Sequence, residues 1–412
     1  MKPERESAIA RFLAEPVLVR LLSALNGEGE ETRVVGGAVR NLLLGEAASD
    51  IDLATTALPE ETIRRGRKAG FKAVPTGIEH GTVTLISGGA TFEVTTLRRD
   101  VETDGRRAKV AFGRDFAEDA LRRDFTINAL GLDRDGGLHD YSTGLADLAA
   151  RRVRFIGEAQ TRIREDYLRI LRFFRFHARY GVGAPDAEGL RACIAGRAGL
   201  EGLSRERVRA ELMKLLVAPG AAATLDAMAG AGLVMPVIGA VPHLARFAAV
   251  AREDGEGVHP AFRLAALAVS VAEDAPRLRD RLRLSNDEFD RIERIALALE
   301  ALGGRGELPS LACFRLVADR AGDDAAAAAL VLLNAMAGDE TGRHVRSLIG
   351  QLGATPPFLP RGQDVVARGV PKGEGIGRVL TETRRLWIEA GCPAERQAQF
   401  ELLDAVSRQA LA

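Results

Sequence analysis

At 412 residues, with 57 basic and 57 acidic side chains, the chain is long enough for two or three domains and has no net charge with which to blanket a nucleic acid. Three widely spaced cysteines, Cys193, Cys313 and Cys392, make neither a disulfide framework nor a CxxC zinc site. No apolar run is long enough to span a membrane and nothing at the N-terminus resembles a signal peptide, so a cytoplasmic chain without membrane attachment is expected.

Residues 1–26 read as an amphipathic helix through Phe12, Leu13, Leu18, Leu21, Leu22 and Leu25, and 1–32 is taken as an N-terminal helical segment. From 33 to 157 the signals alternate. Strands are expected at Arg33–Val35, Asp50–Ala54, Thr82–Ile86, Thr91–Leu97 and Ala129–Leu132, and helices at Ala38–Leu44, Pro59–Ala69 and Phe116–Ile127. From Gln160 onward only helices are expected, broken at Pro219-Gly220, Pro236, Pro242 and Pro356-Pro357. The fold class is therefore an α/β head with a mixed sheet, followed by an all-α remainder.

The first chemistry-bearing stretch is Gly36-Gly37-Ala38-Val39-Arg40, with Asp50-Ile51-Asp52 beginning ten residues past Arg40. On a strand, positions i and i+2 share a face, so the two carboxylates project together. Such a pair repels unless a cation or a proton lies between its members, and a divalent metal that also holds substrate phosphates resolves the repulsion. The glycine turn lets backbone N–H groups approach a phosphate, and Arg40 can fork onto its oxygens. Neither a G-x-G-x-x-G fingerprint nor a P-loop Gly-Lys-Ser/Thr is present. Metal pair and phosphate cradle together point to nucleotidyl or phosphoryl transfer. Glu93, alternating with apolar neighbours in Thr91–Thr95, is either a third carboxylate near the metals or an ordinary strand-face side chain.

A second constellation is Arg122-Arg123-Asp124-Phe125-Thr126-Ile127-Asn128-Ala129, in which Arg123 and Asp124 could engage ribose and phosphate. A third lies in 151–180, where nine arginines face three acids. There Asp166, Arg169, Arg172 and Arg175 recur every three residues on an expected helix Glu165–Tyr180, forming a slowly winding stripe.

With Tyr141–Leu148, Glu165-Asp166-Tyr167-Leu168-Arg169 and Ser204-Arg205-Glu206-Arg207-Val208, these motifs resemble the class II tRNA nucleotidyltransferase and bacterial poly(A) polymerase family, over about residues 33–216. The resemblance implies a polymerase-β-like nucleotidyltransferase head at 33–157 and a helical neck at 158–218 that reads the nucleotide base. A helical body and tail at 219–412 would bind tRNA. It implies Mg²⁺ on Asp50 and Asp52, with CTP, ATP and a tRNA 3′ end as partners and no obligate protein partner. Arg172 and Arg175 would meet the triphosphate, Asp166 and Arg169 the base. The segment Arg98–Gly113 would be a flexible loop used for the final adenosine. The implied activity is template-independent CCA addition, with poly(A) synthesis and CC-only or A-only addition as the family's alternatives.

The chemistry of base choice follows from the side chains themselves. Cytosine and adenine both present an amino donor beside a bare ring nitrogen, so a carboxylate accepts from the first while a guanidinium donates to the second. Uracil and guanine reverse both groups, and each mispaired group costs roughly 1–3 kcal/mol in a desolvated pocket. An Asp–Arg pair can thus accept C and A and reject U and G.

Overall fold

The structure is a computed structural model and describes residues 3–48, 50–104, 107–253, 257–303, 308–353 and 355–411. They fall into two units, Met1–Arg207 with Ala218–Leu233, and Val208–Val217 with Val234–Ala412.

The first unit opens with α1 (Pro3–Leu13) and α2 (Pro16–Leu25), where one helix is expected over 1–26. Pro16 explains the break, since it lacks an N–H and its ring favours the first position of a new helix. Nine strands follow among the described residues: β1 (Thr32–Val35), β2 (Ile51–Thr55), β3 (Lys72–Gly77), β4 (Thr82–Ser87), β5 (Ala90–Thr96), β6 (Arg98–Asp104), β7 (Arg107–Phe112), β8 (Leu130–Leu132) and β9 (Leu138–Asp140). Seven make one sheet in the order β3-β4-β5-β2-β1-β8-β9, while β6 and β7 pair only with each other. The β2–β5 pair is parallel and its neighbours are antiparallel, so the sheet is mixed as expected. β1 is buried along its whole length in the middle of this sheet, where Thr32 and Thr55 hydroxyls meet at 2.8 Å.

Four strands lie outside the sequence expectation. β3 is a half-exposed edge strand carrying Pro75 and a register shift between Val74 and Gly77, so it shows no clean alternation. β6 and β7 pair antiparallel within the segment Arg98–Gly113 expected as a flexible loop, of which residues 105 and 106 lie outside the described residues. β9 is only three residues long.

Between the strands run α3 (Gly37–Leu44), α4 (Pro59–Lys68) and α5 (Phe116–Leu121). α3 ends on Gly45 in the left-handed conformation (φ 78°), whose N–H bonds the Asn41 and Leu42 carbonyls. The helix expected over Phe116–Ile127 stops at Leu121; a 3₁₀ turn, Thr126–Asn128, follows it. Beyond the sheet come α6 (Gly144–Ala149), α7 (Ala159–Glu165), α8 (Leu168–Tyr180), α9 (Ala187–Ala195), a 3₁₀ segment Arg197–Gly202, α10 (Arg205–Leu216) and α11 (Ala221–Gly230). The single helix expected over Glu165–Tyr180 is therefore an elbow: Asp166 is extended (φ −156°, ψ 107°) between α7 and α8. α8 is fixed to the head by aromatic packing, Phe173 and Phe176 against Phe125 with centroids 6.3 and 5.2 Å apart.

The second unit is helical throughout its described residues. Its longest helix, Asn286–Leu302, starts at a capping box of Ser285 and Glu288 and buries Phe289, Ile292, Ile295 and Leu299.

Before α6, the Asp140 carboxylate accepts from the Ser142, Gly144 and Leu145 N–H groups, which presses Gly144 against the 3₁₀ turn. A Cβ on Gly144 would lie 2.3 Å from the Thr126 carbonyl oxygen, a backbone atom that cannot swing away. Gly144→Ala should therefore destabilise the first unit by about 1–3 kcal/mol, the usual cost of overpacking. A urea titration following unit 1 is the check, and an unchanged midpoint would show that the turn yields.

Candidate active site

A cleft of ≈ 620 Å³ opens in the first unit, lined by Gly36, Gly37, Arg40 and Asn41 of the first glycine motif, Asp50 and Asp52, Arg122–Asp124 with Asn128, and Asp166, Leu168, Arg169, Arg172, Arg175, Phe176 and Arg207. Eleven of the twelve residues singled out from the sequence line it, and Glu93 stands next to Asp52 in the sheet.

The cradle forms where β1 turns into α3. Gly36 has φ 73°, its N–H bonds the Leu130 carbonyl at 3.0 Å, and a Cβ there would be 2.8 Å from Arg123 Nη1. Glycine is favoured here by the left-handed backbone, and a side chain would also displace the Arg123 guanidinium. The first backbone N–H groups of α3 have no intrahelical partner and face the cleft with the positive end of the helix dipole.

β2 starts at Ile51, so Asp50 lies just before the strand and not on it as expected. Asp52 is paired in register with Val35 of β1 and with Glu93 of β5. Burial, then Glu93, push the Asp52 carboxyl above the ordinary aspartate range; Asp50 adds to this and Arg123 opposes it. These carboxylates repel one another on adjacent interior strands, which is the electrostatic condition a divalent cation relieves. Among the described residues no three His, Cys, Asp or Glu side chains form a closed metal cage. Two carboxylates with open positions fit a Mg²⁺-type ion, which keeps water and takes substrate phosphates for the remainder. Nucleotidyltransferases of this type use a divalent metal.

Arg40 differs from its expected use. It is buried, its Nε and Nη2 donate to Asn41 Oδ1, Nη1 donates to Asn128 Oδ1, and Nη2 also donates to the Tyr180 hydroxyl at 2.7 Å. Burial lowers its pKa, Tyr180 opposes that, and Arg175 adds to it. With most donors engaged, Arg40 braces the cradle in this structure while still lining the cleft. Asn128 passes the chain on, its Nδ2 donating to Asp124 Oδ1 at 2.9 Å. Asp124 is saturated as well: Oδ1 also accepts from the Phe125 N–H, and Oδ2 accepts from Arg172 Nε and Nη2 at 2.8 and 2.5 Å. Burial would raise its pKa, but Arg172 and the hydrogen bonds win and hold it below the ordinary range. The carboxylate expected to meet a sugar thus holds Arg172 in place. Arg123 is steadied by the buried Asp119, whose Oδ2 accepts from its Nη2 at 3.3 Å while Oδ1 accepts from Arg122.

At the elbow, Asp166 Oδ1 accepts from the Leu168 N–H at 3.1 Å and Oδ2 from Arg207 Nη2 at 2.6 Å. Arg169 Nη1 donates to the Arg162 carbonyl at 2.7 Å and to Glu165. Arg162 itself donates to the Arg122 and Arg123 carbonyls, tying α7 to the second motif. Asp166 therefore faces the cleft from the elbow and Arg169, Arg172 and Arg175 from α8, so the four do not share one helix. Asp119, Asn128, Tyr180 and Arg207 went unassigned in the sequence reading. Asn128 and Arg207 lie inside motifs already noticed, whereas no sequence signal places Tyr180 beside Arg40.

Residues 32–154 match the family described as the Poly A polymerase head domain, and 187–247 that described as a probable RNA and SrmB-binding site of polymerase A. The mitochondrial CCA tRNA nucleotidyltransferase 1 of Mus musculus is 37% identical over 395 residues, covering 92% of this chain and 87% of that protein. The CCA-adding enzyme of Leuconostoc citreum is 44% identical over 225 residues, 54% of this chain and 53% of that one. This chain belongs to the CCA tRNA nucleotidyltransferase family. The structure of Bacillus stearothermophilus CCA-adding enzyme in complex with CTP superposes with a TM-score of 0.73 at 26% identity, over 99% of both chains. The expected cytoplasmic location is not supported by these relatives, since the Mus musculus protein is named as mitochondrial. Among the described residues no helix is long and apolar enough to cross a membrane.

The Asp124–Arg172 pair generates a pH-dependent expectation. A carboxyl whose folded pKa lies below its unfolded value contributes stability above the unfolded pKa, near 3.9, and loses it as pH falls through the folded value. Asp124→Asn takes the anion away from Arg172, whose side chain is 32% exposed, at a cost of about 1–3 kcal/mol. The deficit against wild type should be full at pH 7 and shrink below about pH 4. Denaturant midpoints of both proteins across that range test it, and a pH-independent gap would place the effect in packing.

Proposed function

We propose that this chain is a template-independent CCA-adding tRNA nucleotidyltransferase, transferring CMP and AMP from CTP and ATP to a tRNA 3′ end. The observation that carries the reading is a single cleft holding a repelling carboxylate pair at one side and Asp166 with Arg169 at the other. In each addition the RNA 3′-hydroxyl attacks the α-phosphorus of the incoming triphosphate. A phosphodiester bond forms, the bond to the β-phosphate breaks, and pyrophosphate leaves. Mg²⁺, held by Asp50 and Asp52 with Glu93 alongside, supplies activation of the hydroxyl and charge neutralisation at the leaving group when bound. The Gly36-Gly37 turn and the α3 N-terminus receive phosphate oxygens. Arg123, Arg172 and Arg175 neutralise the triphosphate, with Arg40, Asn128 and Asp124 fixing where that charge stands. Asp166 accepts from the amino group of cytosine or adenine and Arg169 donates to the adjacent ring nitrogen. For that, Asp166 must exchange Arg207 for the base, and Arg169 must turn a donor away from Glu165 or the Arg162 carbonyl. The bacterial and mitochondrial relatives of this family are named for the same activity. Given tRNA lacking CCA, the purified chain should extend it by three nucleotides and stop, and an open-ended adenosine tail would overturn the assignment.

Asp50→Ala and Asp52→Ala should each abolish transfer while leaving tRNA binding within a fewfold of wild type. Primer extension and a gel-shift titration of the same preparations separate the two. Transfer persisting within about tenfold of wild type, under ~1.4 kcal/mol of barrier, would sink the carboxylate assignment.

Asp166→Ala removes both the acceptor for the amino group and the repulsion that excludes a carbonyl oxygen. CTP and ATP use should fall while UTP and GTP use falls less or rises, a discrimination loss of roughly 5–150-fold in relative kcat/KM. All four triphosphates are compared singly on one tRNA primer. A common drop for all four would make Asp166 structural.

A further inference from the structure

The elbow that presents Asp166 is clasped from behind by two glycines. The 3₁₀ segment Arg197–Gly202 follows α9 and brings Gly196 and Gly199, three residues apart, against the two helices that flank Asp166. A Cβ on Gly196 would lie 2.7 Å from Ile163 Cγ2 of α7 and 3.4 Å from Ile170 Cδ1 of α8. A Cβ on Gly199 would fall inside the Tyr167 ring, 2.1 Å from Cδ1, 2.2 Å from Cγ and 2.4 Å from Cε1. Those are atoms at the root and near edge of the ring, so a χ2 rotation does not clear them. Tyr167 is the residue between Asp166 and the first residue of α8, with helical φ and ψ of −62° and −16°. The ring of Tyr167 thus rests on bare backbone at Gly199, and any side chain there must move Tyr167. Neither Tyr167 nor Gly199 lines the cleft.

We propose that Gly199, through its contact with Tyr167, is a specificity-determining positioning residue that sets where the Asp166 carboxylate stands and hence which bases are accepted. The inference rests on the reading of Asp166 as a base-reading group. Its physical basis is the short lever between the two side chains: Tyr167 follows Asp166 directly, and the extended Asp166 is tied to α8 through its carbonyl, which accepts from the Arg169 N–H at 3.0 Å, so a shift of the elbow carries it along. Its carboxylate is held by the Leu168 N–H and the Arg207 guanidinium, both of which follow the elbow or let go. Functional groups must be held within about 0.5 Å of productive geometry, and opening a 2.1 Å approach to the 3.0 Å that real Cβ contacts keep needs a displacement larger than that. A displaced carboxylate loses its hydrogen bond to the amino group of C and A and its repulsion of the carbonyl of U and G together. The two cognate substrates lose, and the two non-cognate ones do not.

The test compares Gly199→Ala, Tyr167→Ala, the double variant and Asp166→Ala on one tRNA primer, each with the four triphosphates singly. Gly199→Ala should lower discrimination, (CTP or ATP) against (UTP or GTP), by roughly tenfold or more, about 1.4 kcal/mol. Removing the ring removes the clash, so the double variant should recover most of that loss and sit within about threefold of Tyr167→Ala, a non-additivity expected only of groups in contact. Thermal midpoints are measured alongside, because a merely structural glycine lowers stability and all four rates by a common factor. If Gly199→Ala does not fold, the double variant carries the decision: restored folding with the discrimination of Tyr167→Ala supports the clasp, and failure to fold overturns it. A common-factor loss in Gly199→Ala, or a double variant that discriminates no better than Gly199→Ala, also overturns it. Should Asp166→Ala itself leave discrimination intact, the base-reading assignment fails and not the clasp alone.

Discussion

A buried relay of hydrogen bonds runs from the Tyr180 hydroxyl through Arg40, Asn128 and Asp124 to Arg172, and the geometry of the cleft depends on it. Its members come from α3 (Arg40), the second motif with its 3₁₀ turn (Asp124 and Asn128), and α8 (Arg172 and Tyr180). Each link has a charged or amide group whose donors and acceptors are spent within the protein, so none can drift without exposing an unsatisfied partner. Asp124 illustrates the balance. Burial pushes its pKa up, and the Arg172 fork with the two N–H donors outweighs that and holds it below the ordinary range. The result is that Arg172 is oriented by a fixed anion before any nucleotide arrives.

The cleft gathers seven arginines, Arg40, Arg122, Arg123, Arg169, Arg172, Arg175 and Arg207, against four aspartates. That surplus would repel itself, and part of the structure exists to manage it. Asp119 holds Arg122 and Arg123, Glu165 holds Arg162 and Arg169, and Asp166 holds Arg207. The half-exposed pairs among these contribute little stability. Their value is positional, because a guanidinium parked on a nearby carboxylate can be handed to a phosphate or a base with a small rearrangement. Arginine suits this exchange better than lysine, since its planar fork retains geometry while partners change.

Much of this was legible in the sequence, but unevenly. The Gly36-Gly37 turn and the strand bearing Asp52 are local patterns: a glycine pair after buried valines and a carboxylate alternating with apolar residues. The alternating strands and helices of the head and the helical remainder followed from periodicity, whereas the mixed sheet came with the fold that the family resemblance implies. What escaped depended on partners far along the chain. Arg40 was expected on a phosphate because nothing near it in sequence announces Tyr180, 140 residues away. Asp124 was expected on a sugar because the Arg172 fork spans 48 residues. The elbow at Asp166 was missed for another reason. Helical spacing of Asp166, Arg169, Arg172 and Arg175 is satisfied whether or not the first of them is helical, and the Asp166 side chain caps Leu168 in a way that a three-residue period cannot reveal.

That elbow also resolves a tension between rigidity and reach. A protein that chooses bases with side chains alone needs a carboxylate fixed to a fraction of an ångström, yet a carboxylate inside a helix lies against the helix surface and is screened by its neighbours. Breaking the helix at Asp166 frees the carboxylate to project into the cleft, while the cost of the break is offset by the Leu168 N–H that it caps and by the packing of Ile163, Tyr167 and Ile170 onto Gly196 and Gly199. The arginines stay on the intact part of α8, where aromatic packing against Phe125 and Phe155 holds the helix to the head. One half of the proposed base-reading pair is therefore fixed by a helix and the other by a bend. A selectivity that depends on the relation between them depends equally on what holds the bend.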